Sequence, residues 1–225
     1  MTDILELKAK LGKLQLKAMA NSLDTVLAEA QAKNHSFVTA INYLADLELE
    51  RRRQSAIKLR RDQSKLADKP TIDQFDFEHH KSRKDHKNRI LHLMDLEFIK
   101  ERMDVILIGN PGTGKTFLAN CIAGAACNAN IKVLFTTAMD MINHLIAAEA
   151  DHSLLKKLQY YQSPDLLCCD EIGYLSLGQQ GSHLFFQVIS ARHQKKSTML
   201  TTNLLCGAPH NKFNAEYILM RRGDF

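Results

Sequence analysis

The stretch Gly109-Asn110-Pro111-Gly112-Thr113-Gly114-Lys115-Thr116 decides the fold of this 225-residue chain. It has the form GxxxxGK[ST], it directly follows the apolar run 105–108, and a helical pattern begins directly after it. Glycines let the backbone turn sharply and direct its N–H groups at a phosphate chain beside a helix N-terminus. The stretch therefore predicts a phosphate-binding loop, in which Lys115 reaches the β- and γ-phosphates and the Thr116 hydroxyl coordinates Mg²⁺.

The segments on both sides of this loop alternate between short apolar runs and helical stretches. The apolar runs lie at 105–108, 133–136, 166–169 and 198–202, and the helical stretches lie at about 117–129, 138–161 and 181–194. Short, continuously apolar strands separated by helices are typical of a parallel sheet that is buried on both faces. The sequence therefore predicts an α/β fold of this kind for residues 104–225. Residues 217–220 are the only apolar candidate for a fifth strand.

A second candidate for nucleotide chemistry is Leu166-Leu167-Cys168-Cys169-Asp170-Glu171, an apolar strand that ends in two carboxylates. At the C-terminal edge of the sheet Asp170 would lie beside the phosphate-binding loop and hold Mg²⁺, usually through water. Glu171 would then be placed to polarise an attacking water. The same pattern without a phosphate-binding loop is weak, because many strands end in a polar turn.

A third candidate is Asn203, which follows the last parallel strand in Thr201-Thr202-Asn203. A polar amide at this position is expected to touch the γ-phosphate and the attacking water. An asparagine that closes a strand is more often a turn residue, but its place after both other motifs favours the functional reading.

The first 70 residues are predicted to form a separate helical domain. Apolar residues keep helical spacing through residues 1–66, with a break at 34–36 where Ser36 is a suitable N-cap. No Gly or Pro interrupts 35–66, and Pro70 is expected to end the helix. Residues 71–103 are interpreted as a linker and a helical lead-in, with Phe75 and Phe77 as buried anchors.

The positive charge of the chain is concentrated in its middle. The net charge is +5, and residues 51–100 carry 14 basic and 8 acidic side chains. Residues 51–65 contain one acidic residue, Asp62, and seven basic residues, which are Arg51, Arg52, Arg53, Lys58, Arg60, Arg61 and Lys65. This block is a candidate contact for the phosphates of DNA, with no interleaved aromatic residue to stack on bases. The alternative is a solvated helix face.

The composition excludes several classes of protein. With 45% hydrophobic and 24% charged residues, the chain is neither disordered nor a collagen. Five cysteines without a CxxC pattern favour reduced core thiols over zinc or disulfides. No apolar run reaches the roughly 20 residues of a membrane span, and the N-terminus lacks the pattern of a signal peptide. We therefore expect a cytoplasmic protein without a membrane partner.

The chain resembles the IstB-like ATP-binding proteins, helper ATPases of one class of bacterial insertion sequences that are related to the DnaC helicase loaders. The resemblance lies in GNPGTGKTFLA, VLFTTA, PDLLCCDEIGYLSL and LFFQVISARHQKKSTMLTTNL, and in an Arg-rich helix followed by Phe75-Asp76-Phe77. It covers about residues 5–204. It implies an AAA+ P-loop ATPase that binds ATP with Mg²⁺, forms homo-oligomers on double-stranded DNA and delivers that DNA to a transposase. The matching site residues are the eight loop residues, Asp170, Glu171 and Asn203.

The sequence departs from the family after residue 204. The family continues through a helix with an Asp-Arg pair, whose arginine reaches the ATP of a neighbouring subunit, and neither Arg221 nor Arg222 stands in that context. The C-terminal part of the ATPase core is therefore expected to be incomplete. Two alternatives stay open: a loader that grips a replicative helicase, and a protein that binds ATP and DNA without hydrolysis.

Overall fold

The computed structural model describes residues 2–66, 70–79, 81–172, 178–203 and 217–221. The chain divides into two compact units, residues 1–58 and residues 59–225. No helix in the described ranges is both long and apolar enough to cross a membrane.

Three helices form the N-terminal unit: α1 (Thr2–Lys13), α2 (Lys17–Ala32) and α3 (Phe37–Ser64), of which α3 continues into the second unit. Their core is small and consists of Leu11, Leu23, Val26, Ala40 and Leu44. The predicted break is present, and the Ser36 hydroxyl accepts a hydrogen bond from the Thr39 N–H at 3.1 Å, so Ser36 caps α3. The prediction that the basic block continues this helix is confirmed.

The helix α3 ends earlier than Pro70. Its last residue is Ser64, whose hydroxyl donates to the carbonyl of Arg61 at 2.7 Å, and Lys65 then adopts a left-handed backbone with φ 60°. Our boundary at residue 70 also differs from the division at Lys58. The reason is that Arg60 and Arg61 already bond to Asn130 and Asn128 of the second unit.

The second unit is a five-stranded sheet between two layers of helices. A short 3-10 turn (Ile72–Gln74) and the helices α4 (Lys81–Asp85), α5 (Lys87–Met94) and α6 (Glu97–Lys100) lead into it. The strands are β1 (Asp104–Ile108), β2 (Val133–Thr137), β3 (Leu166–Asp170), β4 (Ser197–Thr202) and β5 (Tyr217–Arg221), and the remaining helices are α7 (Lys115–Asn128), α8 (Ala138–Ala150), α9 (Leu154–Gln162) and α10 (Gly178–Arg192).

The order in the sheet is β2-β3-β4-β1-β5, and the first four strands are parallel. The predicted α/β fold with a parallel sheet is thus confirmed for β1 to β4. The sequence indicates no direction for the fifth strand, and β5, at the apolar candidate 217–220, pairs with β1 antiparallel, so that Tyr217 lies opposite Ile108 and Arg221 opposite Asp104. An antiparallel strand begins at the edge where its neighbour ends and needs no helical crossover, which a parallel fifth strand would require.

The helical stretch predicted at 138–161 is two helices. Residues 151–153 separate α8 from α9, and His152 has a left-handed backbone with φ 55°. The helix α7 covers one face of the sheet, and α8, α9 and α10 cover the other. Cys168 and Cys169 point to these two opposite faces and are both buried, as the prediction of core thiols requires.

A buried arginine joins the ends of several elements on the side of the sheet away from the phosphate-binding loop. Arg192 is 1% exposed and donates to the carbonyls of Tyr161, Gln162, Pro164 and Ser197. Burial lowers the pKa of Arg192 to about 10, so its guanidinium stays charged at neutral pH. This side chain therefore fixes the end of α9 and the start of β4 relative to α10.

Candidate nucleotide site and basic helix

The phosphate-binding loop lies at the C-terminal edge of the parallel strands. It leaves β1 after Ile108 and enters α7 at Lys115, and the Gly109 N–H donates to the Thr202 carbonyl at the end of β4 at 3.2 Å. Gly112 has φ 81°, a conformation that side chains disfavour, although a Cβ there would meet no atom within 4 Å. The eight predicted loop residues thus connect the end of β1 to the first turn of α7.

Gly114 is required by both its backbone and its surroundings. Its φ is 90°, and a Cβ at this position would lie 2.7 Å from Cε2 of Phe75 and 3.2 Å from Nη2 of Arg83. Contacts below 3.0 Å cannot be kept, so any side chain here would push the loop away from the Phe75 ring. The sequence motif explains why the backbone conformation of Gly114 requires a glycine. The lack of space for a Cβ depends on Phe75 and Arg83, which lie in the linker.

Lys115 lies over its own loop. Its ammonium group donates to the carbonyls of Gly109 at 2.8 Å and Asn110 at 2.9 Å, and the side chain is half-buried. Thr113 closes the turn through its hydroxyl, which donates to the Asn110 carbonyl at 2.9 Å. The loop therefore holds a cation at its centre, and an anion that enters the loop will meet this charge.

The two predicted Mg²⁺ ligands are in contact with each other. Oδ1 of Asp170 accepts a hydrogen bond from the Thr116 hydroxyl at 3.2 Å, and Asp170 as a whole is 5% exposed. The same oxygen accepts a hydrogen bond from the hydroxyl of Thr201 on β4. We did not single out Thr201 from the sequence, because only the register of β3 beside β4 brings it to Asp170.

Glu171 has a strained backbone and an exposed side chain. Its φ is 61°, which costs a residue with a β-carbon roughly 1 kcal/mol or more. The Glu171 N–H donates to the Thr201 hydroxyl oxygen at 2.9 Å, so Thr201 links both carboxylate residues. This link holds the backbone of Glu171 so that its carboxylate leaves the end of β3 toward solvent.

Asn203 follows β4 immediately after Thr202, the residue that bonds Gly109. Its side-chain oxygen is fully enclosed and has no hydrogen-bond partner among the described residues. A buried oxygen of this kind is costly unless a donor completes it. Its position beside the loop fits an ordered water as that donor.

The predicted DNA-binding arginines fall into groups with different surroundings. Arg51 and Arg52 both bind Glu48, at 2.7 Å and 3.0 Å, and Arg51 also donates to the Gln15 carbonyl at 3.4 Å. Glu48 is buried in the helical unit and accepts a further hydrogen bond from the Ala18 N–H at 2.8 Å. The Arg51 hydrogen bond is the largest cause that lowers the pKa of Glu48 to about 2. These two arginines therefore serve the structure of the N-terminal unit.

The other basic residues of the block differ from this pair. The Arg53 side chain is 69% exposed, and its nearest carboxylate, on Glu50, lies 4.0 Å away. Lys58 is exposed and makes no ion pair within the described part of the chain. Arg60 and Arg61 belong to the second unit, where their side chains donate to the side-chain oxygens of Asn130 at 3.1 Å and Asn128 at 2.7 Å.

The model of one protein family, described as IstB-like ATP binding protein, matches residues 9–220. The chain belongs to this family. The match runs past residue 204, where our resemblance ended, although residues 204–216 lie outside the described part of the chain.

Several relatives of this IstB-like chain come from insertion sequences. It is 33% identical to the insertion sequence IS232 putative ATP-binding protein of Bacillus thuringiensis subsp. berliner, over 88% of this chain and 79% of the relative. It is 34% identical to the corresponding IS5376 protein of Geobacillus stearothermophilus, over 85% of this chain and 75% of the relative.

Two solved structures share the fold of this IstB-like chain. DnaA from Aquifex aeolicus bound to AMPPCP superimposes with a TM-score of 0.55 at 20% identity, over 62% of this chain and 44% of DnaA. The DnaC helicase loader superimposes with a TM-score of 0.53 at 20% identity, over 61% of this chain and 79% of the loader. The AAA+ P-loop fold expected from the sequence is thereby confirmed.

Proposed function

We propose that this chain is an ATPase that binds ATP–Mg²⁺ at the loop of residues 109–116. The observation that carries this proposal is the contact between the Thr116 hydroxyl and Asp170, directly beside a glycine loop at the start of α7. A hydroxyl and a carboxylate are oxygen ligands of the type that Mg²⁺ prefers. The enclosed oxygen of Asn203, which has no partner among the described residues, also fits a bound water beside the loop, because a water can donate to it.

Each site residue has a role in this proposal. The N–H groups of the loop and of the first turn of α7 bind the phosphates, and Lys115 turns from the Gly109 and Asn110 carbonyls to the β- and γ-phosphates. Thr116 and Asp170 hold Mg²⁺, which neutralises the charge that develops on the phosphate oxygens during transfer. The amide of Asn203 contacts the γ-phosphate and the attacking water.

Hydrolysis then requires a general base. Glu171 accepts a proton from the water whose oxygen attacks the γ-phosphorus, while the bond from that phosphorus to the bridging β–γ oxygen breaks and ADP leaves. The exposed carboxylate of Glu171 is able to reach this water. The backbone N–H of Glu171 donates to the Thr201 hydroxyl oxygen, and this hydrogen bond fixes the backbone from which the carboxylate projects.

We also propose that the protein assists transposition, with double-stranded DNA, further copies of itself and a transposase as partners. The relatives from two insertion sequences, each matched over about three quarters or more of its length, support this assignment. The alternative partner, a replicative helicase, draws support only from the fold shared with a helicase loader. The helical N-terminal segment, with exposed Arg53 and Lys58, is the proposed DNA-binding and partner-binding part.

ATP turnover with and without duplex DNA tests this function, with Glu171→Gln as the decisive variant. If Glu171 positions the water, the variant should bind ATP as well as the wild type while kcat falls roughly 10²–10⁴-fold. A variant that loses ATP binding would instead give Glu171 a structural or metal-binding role. A wild-type protein that binds ATP and duplex DNA but releases no phosphate would favour the non-hydrolysing alternative.

A further inference from the structure

Arg83, in the linker ahead of the sheet, contacts backbone carbonyls of the phosphate-binding loop. Its Nε donates to the Thr113 carbonyl at 3.1 Å, and its Nη2 lies 3.5 Å from the Gly112 carbonyl. Its Nη1 donates to the carbonyl of Asp76 at 2.9 Å. One guanidinium group thus joins the chain around Asp76 to the tip of the loop.

An aromatic cluster holds this guanidinium in place. Its central carbon lies 4.5 Å from the centre of the Phe75 ring, a distance typical of a cation–π contact. Phe75 is 6% exposed and packs edge-on against Phe77 at 5.0 Å and in a stacked arrangement against Phe117 of α7 at 5.9 Å. The Phe75 ring also occupies the space where Gly114 would carry a Cβ. Arg83 is therefore supported by the same residues that close the back of the loop.

The contact with Thr113 fixes the direction of an amide in the loop. In a trans peptide the carbonyl and the following N–H point in opposite directions across one plane. Because Arg83 binds the Thr113 carbonyl, the Gly114 N–H is turned away from Arg83, toward the inner side of the loop. Lys115 donates to the Gly109 and Asn110 carbonyls, but in the proposed function its ammonium group leaves them to bind the phosphates. Arg83 binds no phosphate in that function and keeps its hydrogen bond to the Thr113 carbonyl.

We propose that Arg83 is a positioning residue for nucleotide binding, which orients the loop amides before the phosphates of ATP or ADP arrive. This proposal rests on the proposed function, because it assumes that the loop binds a nucleotide. Preorganised donors bind an anion without the cost of ordering the loop at that moment. Without Arg83 the loop carbonyls lose a charged donor, and the peptide between Thr113 and Gly114 is free to rotate.

The test measures the affinity of a fluorescent ATP analogue with Mg²⁺ for the full chain and its variants. We expect Arg83→Ala to bind roughly tenfold more weakly, as the loss of one charge-assisted hydrogen bond implies. Arg83→Lys, which can still donate to a single carbonyl, should recover part of this loss. The matched control is Lys84→Ala, which removes the neighbouring charge on α4, whose ammonium group instead pairs with Glu78 at 2.9 Å; its affinity should equal that of the wild type.

A second readout separates positioning from a general loss of structure. If Arg83 acts through the loop, the effects of Arg83→Ala and Lys115→Ala should be non-additive in the double variant, while the thermal unfolding of the nucleotide-free second unit stays unchanged. Wild-type affinity in Arg83→Ala, or an equal loss in Lys84→Ala, would overturn the role of Arg83 and leave the proposed function standing. Additive losses, or an Arg83→Ala variant that is unfolded while Arg83→Lys binds no better, would also overturn it. A wild-type chain that binds no nucleotide would overturn the proposed function itself.

Discussion

Replacement of Arg53 and Lys58 by alanine tests which part of the basic helix contacts DNA. The sequence suggests Arg51, Arg52 and Arg53 as equals, but Arg51 and Arg52 are bound to buried Glu48. Arg53 and Lys58 carry their charge to solvent, and we expect them to make the phosphate contacts of the N-terminal unit.

The size of the effect follows from counterion release. Each phosphate that a cation neutralises contributes about 0.9 to the slope of log affinity against log salt. The double variant Arg53→Ala/Lys58→Ala should therefore flatten the slope by about 1.8 if both residues are used. Arg51→Ala, which removes one positive charge where the double variant removes two, serves as the control, and it should leave the slope unchanged because Arg51 is engaged by Glu48.

Fluorescence anisotropy titrations at several salt concentrations, on two duplexes of unrelated sequence, measure these slopes. The double variant should lose affinity for both duplexes by similar factors, because phosphate contacts carry no base information. Circular dichroism establishes that the variants keep their helices. An unaltered slope in the double variant, or a larger change in Arg51→Ala, would refute the reasoning that the exposed Arg53 and Lys58 contact DNA while Arg51, bound to Glu48, does not.

Three further outcomes follow from the described contacts. Lys115→Ala should weaken ATP binding at least roughly tenfold in isothermal titration calorimetry, because a charge-assisted contact to the phosphates is worth about 1.5–3 kcal/mol; equal affinities would reject the loop as the site. Glu48 has its pKa lowered from 4.5 to about 2, chiefly by Arg51, so the unfolded chain takes up the proton first on acidification. Stability of the helical unit should thus be constant above about pH 5 and decline as the pH falls from 4.5 toward 2; in urea titrations followed by circular dichroism, Glu48→Gln should show a smaller decline, and an identical one would contradict this. Arg192→Met should destabilise the second unit by roughly 3 kcal/mol or more in denaturant unfolding, because it leaves several buried carbonyls without a donor, and a loss below about 1 kcal/mol would be inconsistent with its contacts.

The sequence was sufficient wherever a feature depends on neighbours along the chain. The phosphate-binding loop, the apolar runs of β1 to β4 and the capping of α3 by Ser36 are all local patterns, and the structure has them at or within a few residues of the predicted positions. The split between α8 and α9 was missed because residues 151–153 include no Gly or Pro that would announce a break.

Features that depend on distant partners could not be predicted. Thr201 reaches Asp170 only through the register of β4 beside β3, and Arg83 reaches the loop across thirty positions of sequence. A run of arginines gives no sign that Glu48, three and four residues earlier, binds two of them inside the N-terminal unit. The direction of β5 is likewise decided by its pairing with β1. The apolar residues of β5 do not indicate whether that pairing is parallel or antiparallel.

The placement of Cys168 and Cys169 on opposite faces of β3 gives the second unit a built-in chemical reporter. Both thiols are buried, and burial raises the pKa of Cys169 to about 12 and that of Cys168 well above its ordinary value, so neither forms the reactive thiolate at neutral pH. An alkylating reagent can modify them only in molecules whose sheet has opened, and the two side chains, on opposite faces, are not placed to join in a disulfide. Their labelling rate, followed by mass spectrometry, therefore reports how often the sheet opens within two residues of Asp170, without any engineered probe.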